Sequence, residues 1–257
     1  MTKYLIINAD DCGLAPGVNR AIIDLHQAGV VKSTSLMVNM PGFQDAARRL
    51  VNIPTLGVGL HLNLSSGSPI SPASWVPSLV DGEGGFSEEL DWNERDIMIE
   101  LKAQMNRLLT AGIRPTHIDS HRFTQDRKTV CRPMILLARS MKLPMRRTGW
   151  EPALDMRLPP GVDNFYAHAY FEDGGKNLLL ENLRSLPHGT SELICHPGYV
   201  DECLESVCTW TQVREIEFGV LSDPEVLETI RALEIRLINY NHLHYSIDLR
   251  NRNRIVY

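Results

Sequence analysis

Short apolar runs alternate with amphipathic segments over the first third of the chain. Three of these runs are typical of buried strands: YLIIN at 4–8, TSLMVN at 34–39 and GVGLHLNL at 57–64. Between them, residues 18–29 and 42–51 repeat apolar side chains at helical spacing, and Pro16 and Gly29 bound the first helix. Strand alternating with helix predicts a parallel sheet with crossover helices.

The alternation continues towards the C-terminus. The sequence predicts strands at 116–120, 144–147, 192–196 and 235–240, and helices near 94–111, 129–141, 176–185, 211–220 and 224–233. About seven strand–helix units without an internal repeat predict one α/β domain over residues 1–257. A distorted (β/α) barrel is favoured, and an open doubly wound sheet is the alternative.

Three irregular stretches interrupt this rhythm: 63–93, 148–175 and 197–211. Connections of this length inside a compact domain are usually either functional or disordered. We expect all three to be active-site loops. The first contains Trp75, Phe86 and Trp92, which favours a structured lid over a disordered linker.

Composition and charge limit the partners of this chain. With 43% hydrophobic residues, a net charge of −5 and a pI of about 6.0, it has no general attraction for nucleic acid or an anionic membrane. The basic patch RNRNR at 250–254 is interpreted as a solvated tail. No run approaches the roughly 18 apolar residues of a membrane span. Five cysteines without a CxxC pair predict reduced thiols in a cytoplasmic protein. A homodimer is expected only because such dimers are common.

Two adjacent carboxylates, Asp10 and Asp11, follow the first strand. Such a pair needs a cation or a shared proton to relieve its repulsion. His61, His121 and His196 lie near the predicted carboxyl ends of other strands, and in a parallel α/β fold these ends meet at one edge. Imidazoles with a carboxylate are a typical ligand set for a divalent metal. The pattern predicts that one aspartate binds a metal ion while the other stays free as a general base.

Spacing separates the two histidines of THIDSH. His117 and His121 would lie ~13 Å apart in a strand that rises ~3.3 Å per residue, too far to share one ion. We expect His121 to bind the metal and His117 to lie deeper, in a supporting position. Asp119 is expected either to orient a metal-binding histidine or to share its face of the strand. Taken singly, such residues are more often turn, cap or core residues, so their joint placement carries the hypothesis.

Five segments together resemble the YdjC-like carbohydrate deacetylases, the family of the chitooligosaccharide deacetylases: IINADDCGLAPGVNRAI, STSLMVNMPGF, LGVGLHLNL, PTHIDSH and CHPGYVD. They follow the family's order from the first strand to about residue 201. The resemblance implies a distorted (β/α) barrel of the glycoside hydrolase and deacetylase type. It also implies metal-dependent hydrolysis of an N-acetyl group on an amino sugar or a short oligosaccharide.

The resemblance also implies roles for individual residues. Asp11, His61 and His121 would hold one divalent ion, Mg²⁺ or Zn²⁺. Asp10 would be the catalytic base, and His196 would be the general acid that protonates the leaving amine.

Two further residues are implied in substrate binding. Arg146 matches an arginine that is usual in the family and would bind substrate or orient Asp10. Tyr199, in CHPGYVD, is the second. The chain departs from the family after His121, where HRFTQDRK replaces a segment usually richer in histidine. This departure leaves the identity of the sugar open.

Three other classes of protein fit parts of the pattern. A sugar-binding homologue without turnover would keep the metal ligands, and a metal-dependent hydrolase of another amide or ester would keep the chemistry. A phosphate-transferring enzyme also ends its first strand with paired carboxylates. That class needs a further aspartate and a lysine, where this chain has His61 and no matching lysine.

Overall fold

Parallel strands and helices alternate through the described part of the chain. The computed structural model describes residues 2–89, 91–151, 153–243 and 254–256, the last range for backbone only. The strands are β1 (Lys3–Cys12), β2 (Ser33–Leu36), β3 (Gly57–Leu62), β4 (Ile118–Ser120), β5 (Asn164–Tyr166), β6 (Gly189–Cys195), β7 (Arg236–Leu237) and β8 (Arg254–Val256). The α-helices are α1 (Pro16–Ala28), α2 (Phe43–Leu50), α3 (Glu94–Thr110), α4 (Lys128–Met141), α5 (Gly175–Ser185), α6 (Glu202–Val207), α7 (Gln212–Ser222) and α8 (Pro224–Ala232). Short 3₁₀ helices cover Ala73–Trp75, His121–Asp126 and Tyr240–His242.

The strands form one sheet in the order β4-β3-β2-β1-β6-β5-β8, with β7 beside the start of β1. Every ladder between named strands is parallel. The sheet curls so that the carboxyl ends of β1, β3, β4 and β6 face one another across a cavity. The distorted (β/α) barrel predicted from the sequence is therefore confirmed, and the open doubly wound alternative is not.

The two faces of β1 have different surroundings. Leu5, Ile7 and Ala9 pack into the main apolar core together with the helices. Ile6 belongs to a small second cluster with Tyr240. Because side chains alternate along a strand, the face that carries Ile6 continues through residues 8 and 10 towards the cavity. Both faces are buried, which explains why the run YLIIN is continuously apolar.

Three elements differ from the sequence-based expectation. The segment 144–147 forms no strand and contributes one bridge, between Ile118 and Met145. Strand β5 lies inside the stretch 148–175. It has only three residues, too few for an alternation of apolar and polar side chains to be detected in the sequence. Helix α6 lies inside 197–211, where Asp201 caps it by accepting from the backbone N–H of Leu204 at 2.8 Å.

The stretch 63–93 is anchored to helix α3. The buried carboxylate of Glu100 accepts backbone hydrogen bonds from Ile70 and Ser71 at 2.8 and 2.9 Å. Trp92 is buried and donates its indole N–H to Ser87. Among the described residues, no helix combines the length and apolar character that crossing a bilayer requires. The basic patch, apart from the backbone of Arg254, lies outside the described residues.

Candidate active site

The carboxyl ends of the strands surround a cavity of about 490 Å³. Its polar lining includes Asp10, Asp11, His61, His121, His196 and Arg214. Its apolar lining includes Leu14, Phe123, Phe171, Ile194, Val207 and Trp210. Four of the sequence-predicted catalytic and metal-binding residues come from separate strand ends or the turns just after them, and Asp10 joins Asp11 on β1. The fold therefore brings all five together.

Asp11 enters the cavity through an unusual backbone conformation. Its φ is 65°, in the left-handed region that a residue other than glycine seldom adopts. The register between β1 and β2 also shifts between Ala9 and Cys12. Regular alternation would point Asp11 away from Asp10. The sequence predicts that the two carboxylates meet because the strand has ended, whereas β1 continues through Cys12 and a local irregularity turns Asp11 inwards.

Asp11, His61 and His121 each place one ligand atom within 4.8 Å of the other two. Oδ1 of Asp11 lies 3.0 Å from His121 Nδ1 and 3.3 Å from His61 Nε2. This oxygen is buried and has no well-aligned hydrogen bond to any described residue. A buried carboxylate oxygen without a partner is costly unless a cation lies beside it. Two nitrogens and one oxygen, with room on the cavity side, fit a divalent metal ion.

Charge balance around Asp11 favours its ionised form. Arg214 donates from Nη2 to Oδ2 of Asp11 at 2.7 Å, and both side chains are almost fully buried. Burial alone would raise the pKa of Asp11, but His121 and Arg214 outweigh it and hold the pKa well below its usual value. One oxygen is thus bonded to Arg214, and the other is left facing the histidines.

Asp119 fixes the orientation of His61. Its Oδ1 lies 2.8 Å from His61 Nδ1, which leaves Nε2 pointing towards Asp11. Carboxylate support of this kind is typical of metal-binding histidines. Burial would lower the pKa of His61, but Asp119, Asp11 and Asp10 outweigh burial and raise it to about 10. Of the two roles expected for Asp119, the geometry supports the orienting one.

Arg146 holds Asp10 with two hydrogen bonds, from Nη1 to Oδ2 and from Nη2 to Oδ1, each 2.7 Å long. Asn8 donates to the same Oδ1 at 2.7 Å. Burial raises the pKa of Asp10, whereas Arg146 and His61 lower it, and the net shift is downward. Asp10, His61 and Asp119 also form a compact group that could hold an ion. Arg146 already neutralises that group, so the cluster around Asp11 fits a metal better.

His117 lies beneath the site, in the deeper position that the sequence predicts. It has no solvent exposure, stacks on Tyr240 at 3.9 Å between ring centroids, and places Nε2 3.8 Å from Oδ2 of Asp119. Burial, with a smaller contribution from Arg146, lowers the pKa of His117 to about 4 despite the nearby Asp119. His117 is therefore a neutral residue in the layer below Asp11, His61 and His121.

His196 faces the cavity opposite the carboxylates and is held by Glu217. The backbone N–H of His196 donates to Glu217 Oε2 at 2.6 Å, and ring Nδ1 lies 3.8 Å from the same oxygen. Glu217 has no solvent exposure and also accepts from the backbone N–H of Tyr170 at 3.2 Å. One carboxylate thus positions both His196 and the loop that carries Tyr170. About a quarter of the His196 side chain, 27%, remains exposed.

The sequence-based analysis misses Arg214 and Glu217, and helix α7 explains why. Its buried residues are Arg214, Glu217 and Leu221, while Ile216 is 51% exposed. Two charged residues therefore occupy the inward face, the reverse of an ordinary amphipathic helix. An arginine and a glutamate three positions apart would normally be read as a solvated pair. The one feature of the sequence that could have indicated this orientation is Ile216, an apolar residue on the opposite face of the helix.

Two predicted substrate-binding residues lie away from the cavity surface. Arg146 has no solvent exposure and lies behind Asp10, where it also bonds Glu192. Its placement matches the orienting role expected for it, not direct contact with a substrate. Tyr199 is outside the cavity lining and donates its hydroxyl to Asp24 at 2.7 Å. The CHPGYVD segment turns Tyr199 towards helix α1 instead.

The atypical segment after His121 forms part of the cavity wall. Arg122 and Phe123 both have positive φ, 53° and 51°. Phe123 meets Phe165 edge to face at 5.9 Å, and Arg122 pairs with Glu88 at 2.9 Å. Two consecutive residues in this conformation are strained, and such strain concentrates at functional sites.

Comparison with known proteins agrees with this architecture. The family model described as YdjC-like protein matches residues 4–232. A carbohydrate deacetylase from Thermoanaerobacter pseudethanolicus is 38% identical over 248 residues, which cover 94% of this chain and 99% of that protein. The range of the family model includes all the cavity residues described above.

Two solved structures have the same overall fold as this chain. A protein from Enterococcus faecalis that is proposed to cleave cellobiose-phosphate superposes with a TM-score of 0.85 and 32% identity, covering 95% of this chain and 99% of that one. A peptidoglycan N-acetylglucosamine deacetylase shares the fold alone, with a TM-score of 0.54 and 14% identity over 94% of this chain and 88% of that one. The family model covers most of the chain, and similarity to a full-length relative is substantial. This chain belongs to the YdjC-like family.

Proposed function

We propose that this protein is a metal-dependent hydrolase that removes an N-acetyl group from an amino sugar or a short chitooligosaccharide. The observation that carries the proposal is Oδ1 of Asp11, a buried oxygen without a well-aligned hydrogen bond that faces His61 and His121 beside a second carboxylate, Asp10. The name of the Thermoanaerobacter relative, carbohydrate deacetylase, supports the same activity.

The metal ion would be held by Asp11, His61 and His121. When bound, it supplies Lewis acidity that polarises the acetamide carbonyl and acidifies a water molecule. Two imidazole ligands favour zinc or another transition ion, while Mg²⁺ prefers oxygen ligands. We propose a single divalent ion, with Zn²⁺ ahead of Mg²⁺ on these grounds.

Asp10 would accept the proton of the attacking water. Arg146 keeps Asp10 ionised and fixes the direction of its carboxylate. As the water oxygen bonds to the acetyl carbon and the C–N bond breaks, the sugar nitrogen needs a proton, because an amine anion is a poor leaving group. His196 would donate that proton, with Glu217 holding it in place. The products are acetate and the free amino sugar.

The apolar part of the cavity lining would bind the sugar and exclude bulk water. Phe123 and Phe171 lie on this apolar part, and Arg122 lies on the lining beside Phe123. Because Tyr199 and Arg146 do not contact the cavity surface, we assign substrate contact to the lining residues. The strained Arg122–Phe123 segment forms a part of the cavity wall that differs from the usual family sequence. The identity of the sugar must therefore be determined by experiment.

The decisive experiment measures acetate release from N-acetylated mono- and disaccharides, with O-acetylated sugars alongside. Metal-free protein and protein loaded with zinc, cobalt or magnesium are compared. We expect metal-dependent acetate from the amides that is lost in Asp11→Ala and falls at least about 10²-fold in Asp10→Asn, as when a general base is removed. Asp24→Asn, a change at an exposed carboxylate bonded to Tyr199, serves as the matched control.

The outcomes separate the competing classes. Metal binding with no acetate from any sugar would favour a sugar-binding homologue without turnover. Acetate from O-acetylated sugars alone would reassign the enzyme to esters. Unchanged turnover in Asp10→Asn would remove Asp10 from the role of base.

We further propose a cytoplasmic location and a homodimer. Five cysteines without a disulfide support the first, because oxidising compartments favour paired thiols. The second rests only on the frequency of such dimers and is tested by analytical ultracentrifugation of the full chain.

A further inference from the structure

Trp210 is a large apolar side chain left half exposed at the cavity. Its relative exposure is 51%, whereas most of the chain's large apolar residues are buried in the core. It lies on the cavity lining close to His196, at 6.5 Å between ring centroids. An exposed indole beside a polar catalytic group is typical of a ligand-binding surface and not of a core position.

The neighbours of Trp210 hold it without covering it. Phe171 meets it at 5.2 Å between centroids with an interplanar angle of 74°, and His196 meets it at 81°. Both contacts are edge to face, so neither ring stacks on the indole. The indole therefore has two supporting rings, and its 51% exposure leaves part of its surface available to a ligand.

Arg214 ties the position of Trp210 to the metal ligands. Its Nε donates to the backbone carbonyl of Trp210 at 3.0 Å, and its Nη2 donates to Asp11 at 2.7 Å. The Sγ–H of Cys208 adds a second, weaker contact to the same carbonyl at 3.4 Å. A single buried guanidinium therefore links the backbone of Trp210 to the carboxylate of Asp11.

We propose that Trp210 is the residue that binds the sugar ring, with its indole stacked on the C–H face of the pyranose that carries the acetamido group. A pyranose with equatorial substituents presents a patch of axial C–H bonds, and the electron-rich face of indole attracts such hydrogens. This inference rests on the proposed function, because His196 protonates the nitrogen attached to that ring. Since Trp210 adjoins His196, the ring that bears the leaving amine lies against the indole.

The test compares Trp210→Leu with Trp210→Phe. Leucine keeps an apolar side chain but has no aromatic face, whereas phenylalanine keeps a smaller face. For deacetylation of N,N′-diacetylchitobiose, we expect Trp210→Leu to raise KM by roughly 10- to 100-fold with kcat changed less than about threefold, and Trp210→Phe to recover most of the loss. Leu109→Ala is the control, because Leu109 on helix α3 is 41% exposed and lies outside the cavity lining.

Two results would overturn the inference. One is a Trp210→Leu variant whose KM stays within about twofold of the wild-type value. The other is a loss that Trp210→Phe does not relieve, which would indicate packing and not stacking.

Direct binding separates this inference from the proposed function. Titration calorimetry with N,N′-diacetylchitobiose is performed on metal-free wild-type protein and on Trp210→Leu. Weaker binding by the leucine variant supports stacking even if the wild-type protein releases no acetate, an outcome that would remove only the proposed function. Equal binding by both proteins overturns the role of Trp210 whether or not acetate is released.

Discussion

Arg146 donates hydrogen bonds to Asp10 from both terminal nitrogens, at 2.7 Å each, and both residues are buried. The same guanidinium lies 2.9 Å from Asp119 and 2.9 Å from Glu192. Three carboxylates thus share one buried cation. Burial raises the pKa of Glu192, and Arg146 only partly offsets that effect.

Replacing this cation should destabilise the protein strongly. We expect Arg146→Met to lower the free energy of unfolding by about 3 to 5 kcal/mol, because it leaves buried carboxylates without a counter-charge. Urea unfolding of the metal-free protein measures the loss. Arg132→Met is the matched control: Arg132 pairs with Glu94 at 3.1 Å, the two side chains are 53% and 38% exposed, and the loss should be far smaller. Equal losses in the two variants would contradict this reading of the Arg146 cluster.

Metal binding should release a proton from His61. In the metal-free protein the pKa of His61 is raised to about 10, so the ring is protonated at neutral pH, whereas a metal needs the neutral imidazole. Zinc affinity should therefore rise with pH, by roughly tenfold per unit between pH 6 and 8 for one displaced proton. Chelator-buffered zinc titrations measure the slope.

Asp119→Asn provides the control for that slope. Removing the Asp119 carboxylate takes away the strongest contribution that raises the pKa of His61. The pH dependence of zinc affinity should then become shallower in the variant. A zinc affinity that is independent of pH in the wild-type protein would show that His61 is not the competing site.

His117 should make the metal-free protein sensitive to mild acid. The unfolded chain protonates this residue near pH 6.5, but the folded chain does so only near 4, because His117 is buried. Stability is therefore complete above pH 6.5 and falls as the pH drops towards 4, by about 3 kcal/mol from this residue. His117→Phe, which keeps a ring against Tyr240, should flatten the profile over that window. Parallel profiles for the two proteins would exclude His117 as the cause.

Gly59 should tolerate no side chain. A Cβ at this position in β3 would overlap the imidazole ring of His117, which the surrounding core holds in place. We expect Gly59→Ala to lower the free energy of unfolding by about 1 to 3 kcal/mol, as overpacked cores do. In Gly82→Ala, the control, the new methyl group meets no atom within 4 Å, so stability should stay nearly constant. Thermal unfolding of both variants decides the matter.

The sequence predicts the elements of the fold that have long apolar patterns. Helix α1 begins at Pro16 and ends before Gly29, whose φ of 93° suits the helix end, and its face carries Val18 and Leu25, as the spacing indicates. Strand β5 and helix α6 are too short for periodicity to reveal. The segment 144–147 reads PMRR and has no apolar alternation that defines a strand, and it pairs with β4 through only one bridge.

The positions that we propose as catalytic and metal-binding are predictable because they stand beside recognisable strand ends. The supporting residues are not, because their roles depend on packing between distant elements. Glu217 looks like a surface residue of an amphipathic helix until the fold buries it against His196. The reverse holds for Tyr199. Its motif suggests that it binds substrate, but the turn of the chain directs its hydroxyl to Asp24.

Asp11 and Arg214 are 203 residues apart in sequence, although their side chains are in direct contact. During synthesis from the N-terminus, the carboxylate pair leaves the ribosome long before helix α7 exists. Until that helix docks, Asp11 lacks the cation that neutralises it, and the strands around it gain little from burying the charge. Contacts this distant in sequence are slow to form. A chain interrupted before residue 214 would contain every motif that identifies the family and would still lack a finished catalytic centre.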